Sequence, residues 1–176
     1  MRASDLAPYV SSGKQLRRMV ESGEIIAIGA GIYARPSMDP FIASIIAVAR
    51  YYPKAIISNI TALSVHGLTD ERIDRIDVDI PTSTSIRNQL IFAHRVPKKN
   101  FVGVMRLDFH GHKIRIYDKE RALCDAYRID LDGPIFLKAV KRYVRGGKIE
   151  PDRIAKYDKI LSTHALRAIS QELADA

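Results

Sequence analysis

Residues 11–36 read SSGKQLRRMVESGEIIAIGAGIYARP, and this stretch decides the architecture expected for the N-terminal part of the chain. Ser11 or Ser12 is a suitable N-cap, and Gly23 supplies the left-handed conformation that commonly ends a helix. The sequence therefore predicts a helix between them. Two β-branched segments around a Gly-Ala-Gly turn follow, and they predict a tight hairpin.

The predicted helix has an apolar face and a cationic face, since Leu16, Met19 and Val20 fall on one side and Lys14, Arg17, Arg18 and Glu21 recur on the other. The major groove of DNA accepts such a helix, and basic and amide side chains near its N-terminal end then reach phosphates and base edges. An ordinary surface helix with a solvated charged face has the same pattern. Spacing alone leaves both interpretations open.

The order of helix, glycine stop and hairpin is typical of a winged helix-turn-helix module, and ASDLAPYV (residues 3–10) would supply its first helix. We therefore expect residues 1–37 to form a DNA-binding module. The candidate DNA-contacting residues are Ser12, Lys14, Gln15, Arg17 and Arg18 on the helix and Arg35 at the base of the wing.

A second unit is expected from residue 38 to residue 176. Asp39 offers an N-cap and Pro40 a first helical position, and FIASIIAVARYY then reads as a helix buried in a core. Short strands are predicted at KAIIS, RIDVDIP and NQLIFAHRVP, with a hairpin turning near Gly111. The rest of the chain reads as helices. The predicted fold class is α+β, with a short winged module followed by a larger mixed domain.

Composition narrows the function classes. The 176 residues carry a formal net charge of +8, which favours partners that bear phosphate. Residues 1–36 hold five Lys and Arg against three Asp and Glu, which leaves 23 against 17 in the rest, so both parts are basic. The single cysteine, Cys124, excludes an intrachain disulfide and a thiolate zinc site. No apolar run could span a bilayer and no signal peptide is visible, so we expect a cytoplasmic protein.

Two other function classes compete with DNA binding. Asp77 and Asp79, with Lys119 and Glu120 further on, could form a metal-dependent nuclease site. An amphipathic strand places its polar residues on one face in any case, so we expect neither catalysis nor a metal or other cofactor. A protein-interaction module with a degenerate helix-turn-helix is the other alternative, although it predicts an apolar exposed face.

Isolated residues that could carry chemistry have simpler interpretations. We expect turn histidines at His110 and His112, a packed or capping His66 and a buried Cys124, and His94 and His164 have no neighbours in the sequence that suggest catalysis.

The stretch from Ala3 to Pro36 resembles the N-terminal segment of AbiEi-type antitoxins from bacterial type IV toxin–antitoxin operons. The wing of that family is matched here by Gly31, Ile32, Tyr33, Arg35 and Pro36. The similarity continues through residues 51–70, 76–81 and 116–128, so it covers most of the chain. Family members usually have another helix before the ASDL-like segment, so we expect a C-terminal helix or a second subunit to cover the core of the module, or a degenerate module.

The resemblance implies an autorepressor that binds inverted repeats in the double-stranded DNA of its own promoter. It also implies that the protein neutralises a cognate nucleotidyltransferase-like toxin. Direct contact with that toxin does not follow from the resemblance.

Overall fold

The computed structural model describes residues 1–29, 31–131 and 133–174, apart from the side chain of Leu173. The helices are α1 (Ala3–Leu6), α2 (Gly13–Glu21), α3 (Pro40–Tyr51), α4 (Asn59–Val65), α5 (Lys119–Asp130), α6 (Pro134–Arg145), α7 (Pro151–Leu161) and α8 (Ala165–Ala174). The strands are β1 (Ile26–Gly29), β2 (Ile32–Ala34), β3 (Ile56–Ile57), β4 (Ile76–Pro81), β5 (Ile91–Val96), β6 (Val104–Phe109) and β7 (His112–Tyr117).

The N-terminal elements follow the predicted order of short helix, longer helix and hairpin. Ser12 caps α2 at its start. Gly23, two residues after the end of α2, has φ +77°, a conformation that glycine adopts at little cost. Strands β1 and β2 pair antiparallel, with Ile26 opposite Ala34. Ala30, in the predicted turn, lies outside the described residues.

Helix α3 begins as its sequence predicts. The Asp39 carboxylate accepts hydrogen bonds from the backbone amides of Phe41 and Ile42, and Pro40 occupies the first turn. Residues along α3 that face the larger domain are fully buried, Ile45 and Val48 among them. The helix therefore belongs to the main core from its first turns.

The main sheet has five strands in the order β5-β4-β3-β7-β6. Strands β4 and β5 are parallel, as are β3 and β7, whereas β3–β4 and β6–β7 are antiparallel. The pairing places Ile57, Val78 and Ile116 on one face of the sheet. Helix α3 covers that face, while α4 and α5 cover the opposite one and α6, α7 and α8 pack behind α5.

The core of the larger domain forms one connected cluster that runs from Ile45 to Ile169. The apolar residues buried in the N-terminal module, Leu6, Ile25, Ile32 and Ala34, are not part of it. Ile32 and Ala34 lie on β2, and both β1 and β2 contact α3.

Two expectations from the sequence need correction. The alternation of Asp77 and Asp79 predicts an amphipathic strand with one polar face, but β4 lies inside the sheet, and Asp79 is 3% exposed because helices cover its face. A C-terminal helix was one of the covers expected for the core of the N-terminal module. Helix α8 packs against α5, α6 and α7 instead, and it is α3 that contacts β1 and β2. Cover by a second subunit stays a prediction.

The fold class is mixed α+β, as predicted. Within the described ranges, no helix combines the length and the apolar character needed to cross a membrane.

Candidate nucleic-acid interface

The first turn of α2 is fixed by two polar side chains among the predicted DNA contacts. The Ser12 hydroxyl accepts a hydrogen bond from the Gln15 amide at 3.2 Å. The Gln15 side-chain oxygen accepts from the amide and the hydroxyl of Ser11, both at 2.9 Å. These bonds satisfy polar groups at the helix terminus. The side-chain NH₂ group of the exposed Gln15 remains available as a donor.

The cationic face of α2 consists of Lys14, Arg17 and Arg18, which are all exposed. In the part of the chain that the structure describes, no carboxylate lies within 4.0 Å of any of the three. Glu21, one turn further along the same face, forms no ion pair with them. Three cations close together without counter-charges create a local positive potential that attracts anions.

The opposite face of α2 packs only partly. Leu16, Met19 and Val20 are half-buried, and no residue of α2 is fully buried. The Ile25 amide donates to the Met19 carbonyl at 3.3 Å, which ties the start of the hairpin to the last turn of the helix. The two faces of α2 therefore differ in exposure as predicted, with the apolar face only partly packed.

Arg35 lies apart from the other five predicted contacts. It is exposed and directly follows β2, where Ala34 pairs with Ile26 next to the C-terminal end of α2. Ser12 and Gln15 are at the other end of that nine-residue helix, roughly 13 Å away along its axis. The structure brings five predicted residues together on α2 and places Arg35 at the base of the hairpin.

A polar cluster that the sequence analysis missed joins α1 to α3. The Tyr51 hydroxyl accepts from the Arg2 amide at 2.7 Å and donates to the Asp5 carboxylate. The Arg2 amide also donates to Asp5 at 3.0 Å, and the Arg2 guanidinium lies 4.2 Å from the centroid of the Tyr51 ring. The Tyr51 hydroxyl and then the Arg2 amide lower the pKa of Asp5, so this carboxylate is charged at neutral pH.

The chain terminus completes the attachment of the module. The Met1 ammonium donates to the Tyr33 carbonyl at 2.6 Å, and the Tyr33 amide donates back to the Met1 carbonyl at 2.7 Å. Arg2 forms a β-bridge with Ile32. The first residues therefore extend the hairpin sheet while Tyr51 connects them to α3.

Residues 141–148, KRYVRGGK, are a second basic run, in the larger domain, and much of its charge is neutralised. Lys141 lies 3.8 Å from Glu172, Arg142 lies 2.9 Å from Asp70, and Lys148 lies 3.1 Å from Glu150. These partners reduce the local positive potential. The cationic face of α2 is consequently the better-defined candidate for binding a phosphate backbone.

The nuclease alternative required several carboxylates to meet, and each instead has its own partners. Asp77 accepts from His94 Nε2 at 2.8 Å and from the Thr61 hydroxyl at 3.3 Å. This bond to Asp77 raises the pKa of His94 above its ordinary value. The residues make a half-buried pair between neighbouring strands, and sequence analysis had assigned His94 no such partner.

Asp79 belongs to a buried network around Arg121. Tyr117 donates its hydroxyl to Asp79 at 2.9 Å, and Arg121, which is 0% exposed, forms two hydrogen bonds with Asp125 at 3.1 and 3.2 Å. Burial raises the pKa of Asp125 to about 6, against the opposing effect of Arg121. Arg121 also donates to the Asn100 carbonyl at 2.5 Å, so the network connects α5 to the loop before β6.

Glu120 lies in a third environment. It accepts from the Tyr143 hydroxyl at 2.8 Å and lies 3.6 Å from Arg153, while Lys119 is exposed. Among the described residues, no group of three or more His, Cys, Asp or Glu side chains is arranged to hold a metal ion.

Apart from His94, the isolated candidates described next have the environments that the sequence predicted. His110 and His112 are exposed at the β6–β7 turn, and His66 Nε2 contacts the Tyr117 carbonyl at 2.7 Å at the end of α4. Cys124 is fully buried, and burial raises the pKa of its thiol.

No family model matches the sequence, and no curated protein shows significant similarity to it.

Proposed function

We propose that this protein is a DNA-binding repressor whose α2 enters the major groove of promoter DNA. The supporting observation is the row of exposed cations Lys14, Arg17 and Arg18 without carboxylate partners, on a helix whose N-terminal turn is capped. The hairpin β1–β2 directly follows, in the position of a wing. An N-terminal winged helix-turn-helix is thus part of this proposal.

Each element has a distinct role in the proposed complex. Lys14 and the amide of Gln15 reach base edges or phosphates from the first turn, and Arg17 and Arg18 follow one turn later on the same face. Arg35 contacts the backbone from the base of the hairpin. Ser12 acts through the cap that keeps the first turn in place, with its hydroxyl hydrogen available to a phosphate.

The larger domain, in this proposal, carries a second activity. By resemblance to AbiEi-type antitoxins, the protein represses its own type IV operon through inverted repeats and neutralises a nucleotidyltransferase-like toxin. The main hydrophobic core lies between Ile45 and Ile169 and includes no residue of the first 37, which supports a division of these activities between residues 1–37 and residues 38–176.

The DNA-binding proposal is tested with the double variant Arg17→Ala/Arg18→Ala and promoter DNA from upstream of the gene. Each lost contact should cost about 1–3 kcal/mol, and each lost phosphate contact should reduce the slope of log K against log salt by about 1. Fluorescence anisotropy at several salt concentrations measures both. Thermal stability should not change, since both side chains are exposed.

The matched control is Lys156→Ala/Lys159→Ala, which removes the same charge from exposed positions on α7. It should bind the promoter as the unchanged protein does. Equal losses in both double variants would mean that only overall charge matters, and no loss in either would refute the assignment of α2.

The same variants separate the two activities. In cells that express the neighbouring toxin, the Arg17/Arg18 variant should restore growth although it no longer represses the promoter. If the variant loses repression and rescue together, the division of activities between the two domains is wrong.

A further inference from the structure

An exposed aromatic side chain lies on β5, the strand at one edge of the main sheet. Parallel pairing places Phe92 opposite Asp77 and His94 opposite Asp79. Alternate residues of a strand share a face, so Phe92 and His94 lie on the face that carries Asp79. Phe92 is nevertheless 48% exposed. The helices that cover Asp79 therefore leave the ring of Phe92 open to solvent.

Two nitrogen-bearing side chains stand against this ring. The Arg75 guanidinium carbon lies 4.8 Å from the centroid of Phe92, and the imidazole of His94 meets the same ring edge to face, with centroids 4.5 Å apart. Arg75 is exposed, and no carboxylate of the described residues lies within 4.0 Å of it. A cation–π contact at an exposed site is weak. Arg75 can therefore exchange the ring for another partner.

The imidazole of His94 is held in place by the neighbouring strand. Its Nε2 lies 2.8 Å from Asp77, whose other carboxylate oxygen accepts from the Thr61 hydroxyl at 3.3 Å. These contacts occupy the Asp77 carboxylate and weaken its repulsion of a phosphate. The His94 side chain is 30% exposed, and among the described residues nothing forms a hydrogen bond with its Nδ1. One ring nitrogen is thus fixed and the other is available to a ligand.

The chain that contains β5 is basic throughout. Residues 80–99 include no Asp or Glu. They carry four Lys and Arg side chains, all exposed: Arg87, Arg95, Lys98 and Lys99. A surface of this kind attracts a polyanion.

This combination fits one class of polyanion. Proteins bind single-stranded nucleic acid with cations that follow the backbone and with aromatic rings on which unpaired bases stack. The bases of a duplex are stacked on one another and offer no face to an aromatic side chain. The imidazole beside the ring favours RNA over DNA, because a ribose 2′-hydroxyl is both a donor and an acceptor and so matches His94 Nδ1 whether that nitrogen donates or accepts.

We propose that the face of β5 around Phe92 binds single-stranded RNA. One base stacks on Phe92, the ribose 2′-hydroxyl of that nucleotide forms a hydrogen bond with His94 Nδ1, and Arg75 turns from the ring to a phosphate. The proposal does not depend on the function assigned to α2.

The test is fluorescence anisotropy with a labelled single-stranded oligoadenylate of about 12 nucleotides. The full chain carries Arg17→Ala/Arg18→Ala, so that the cations of α2 do not contribute. In this background Phe92→Ala should weaken binding about tenfold, as expected for the loss of one stacked base. Arg75→Ala should reduce the slope of log K against log salt by about 0.7, the value for one phosphate contact on a single strand. Unchanged affinity in Phe92→Ala would overturn the proposal.

Two variants serve as matched controls. Met105→Ala removes an exposed apolar side chain from β6, at the other edge of the sheet, and should keep the affinity of the background. Arg95→Ala removes an exposed arginine from β5 itself, but on the opposite face, because Arg95 pairs with Ile80. It should keep the salt slope. If the controls lose as much as Phe92→Ala and Arg75→Ala, binding is not localised around Phe92 and the proposal fails.

The remaining measurements separate RNA from other occupants of this face. A deoxyadenylate of the same length should bind more weakly than the RNA, and equal affinity would refute the contact with the ribose. Binding of duplex RNA that depends on Phe92 would contradict the stacking. Sedimentation velocity tests for a second copy of the chain: a dimer that dissociates in Phe92→Ala would assign the ring to an interface between copies and overturn the proposal.

Discussion

Replacement of Tyr51 by phenylalanine should loosen the N-terminal module while leaving the larger domain unchanged. The substitution retains the ring beneath Arg2 and removes only the hydroxyl, which accepts from the Arg2 amide and donates to the Asp5 carboxylate. Loss of one hydrogen bond of ordinary net strength changes the equilibrium constant for local opening roughly fivefold. The Arg2 amide keeps Asp5 as a second acceptor, so we expect local opening of the module to increase by about tenfold.

Amide hydrogen exchange measures this opening directly. The Tyr33 amide, bonded to the Met1 carbonyl, and the Val10 amide, bonded to the Leu6 carbonyl, should both exchange about tenfold faster in the variant. The Val78 amide, in the centre of the main sheet, should exchange at its original rate.

The neighbouring tyrosine provides a matched control. The Tyr52 hydroxyl accepts from the Asn88 side chain at 3.0 Å, which is a contact within the larger domain. Tyr52→Phe should therefore leave exchange at Tyr33 unchanged. If the two variants accelerate Tyr33 equally, or if Tyr51→Phe has no effect on it, the tyrosine cluster does not anchor the module.

Three further predictions concern the larger domain. Arg121→Met should lower the free energy of unfolding by about 3–5 kcal/mol in urea denaturation, because it leaves buried carboxylates without their partner. Arg128→Met, at a side chain that is 43% exposed, should lower it far less. Similar losses in the two variants would contradict this assignment. The pKa of His94, followed by NMR, should lie above 6.5 and fall in the Asp77→Asn variant. Because the pKa is raised in the folded state, the pair stabilises the fold below about pH 6.5, and this contribution is lost as the pH rises through the folded pKa. An unchanged pKa in the variant would exclude the pairing. Residues 38–176 expressed alone should fold, as judged by circular dichroism, since they hold the connected core; an unfolded fragment would show that the module is needed for that core.

Local signals predicted the helix boundaries well. Asp39 and Pro40 specify where α3 begins, and Ser12 and Gly23 bracket α2, because caps and left-handed glycines depend on residues close in sequence. Asp118 likewise caps α5. The hairpins at the two glycine turns also follow from short-range patterns.

Contacts between distant residues could not be predicted in this way. The pairing of Asp77 with His94 depends on the parallel register of β4 and β5, which no local pattern determines. The burial of Asp79 depends on the helices that cover its face, since a strand inside a sheet and a half-buried strand can show the same alternation. The available signal was a polar residue, His94, in the strand that follows the aspartates of β4.

The same limit applies to the candidate DNA interface. The face of α2 that carries Arg17 and Arg18 was predictable from helical periodicity. Its attachment through Tyr51, nearly fifty residues from Arg2 and Asp5, was not, because that contact exists only once α3 is in place.

The position of β5 and β6 at the outer edges of the main sheet has a consequence for solubility. In the described ranges no further strand joins either edge, so both present backbone groups that a strand of another copy could pair with. Exposed charges, Arg95 on β5 and Arg106 and Asp108 on β6, oppose such self-pairing, and the net charge of +8 keeps copies apart. This protection weakens as the pH approaches the isoelectric value near 9.7. Precipitation should therefore begin in alkaline buffers and not at neutral pH.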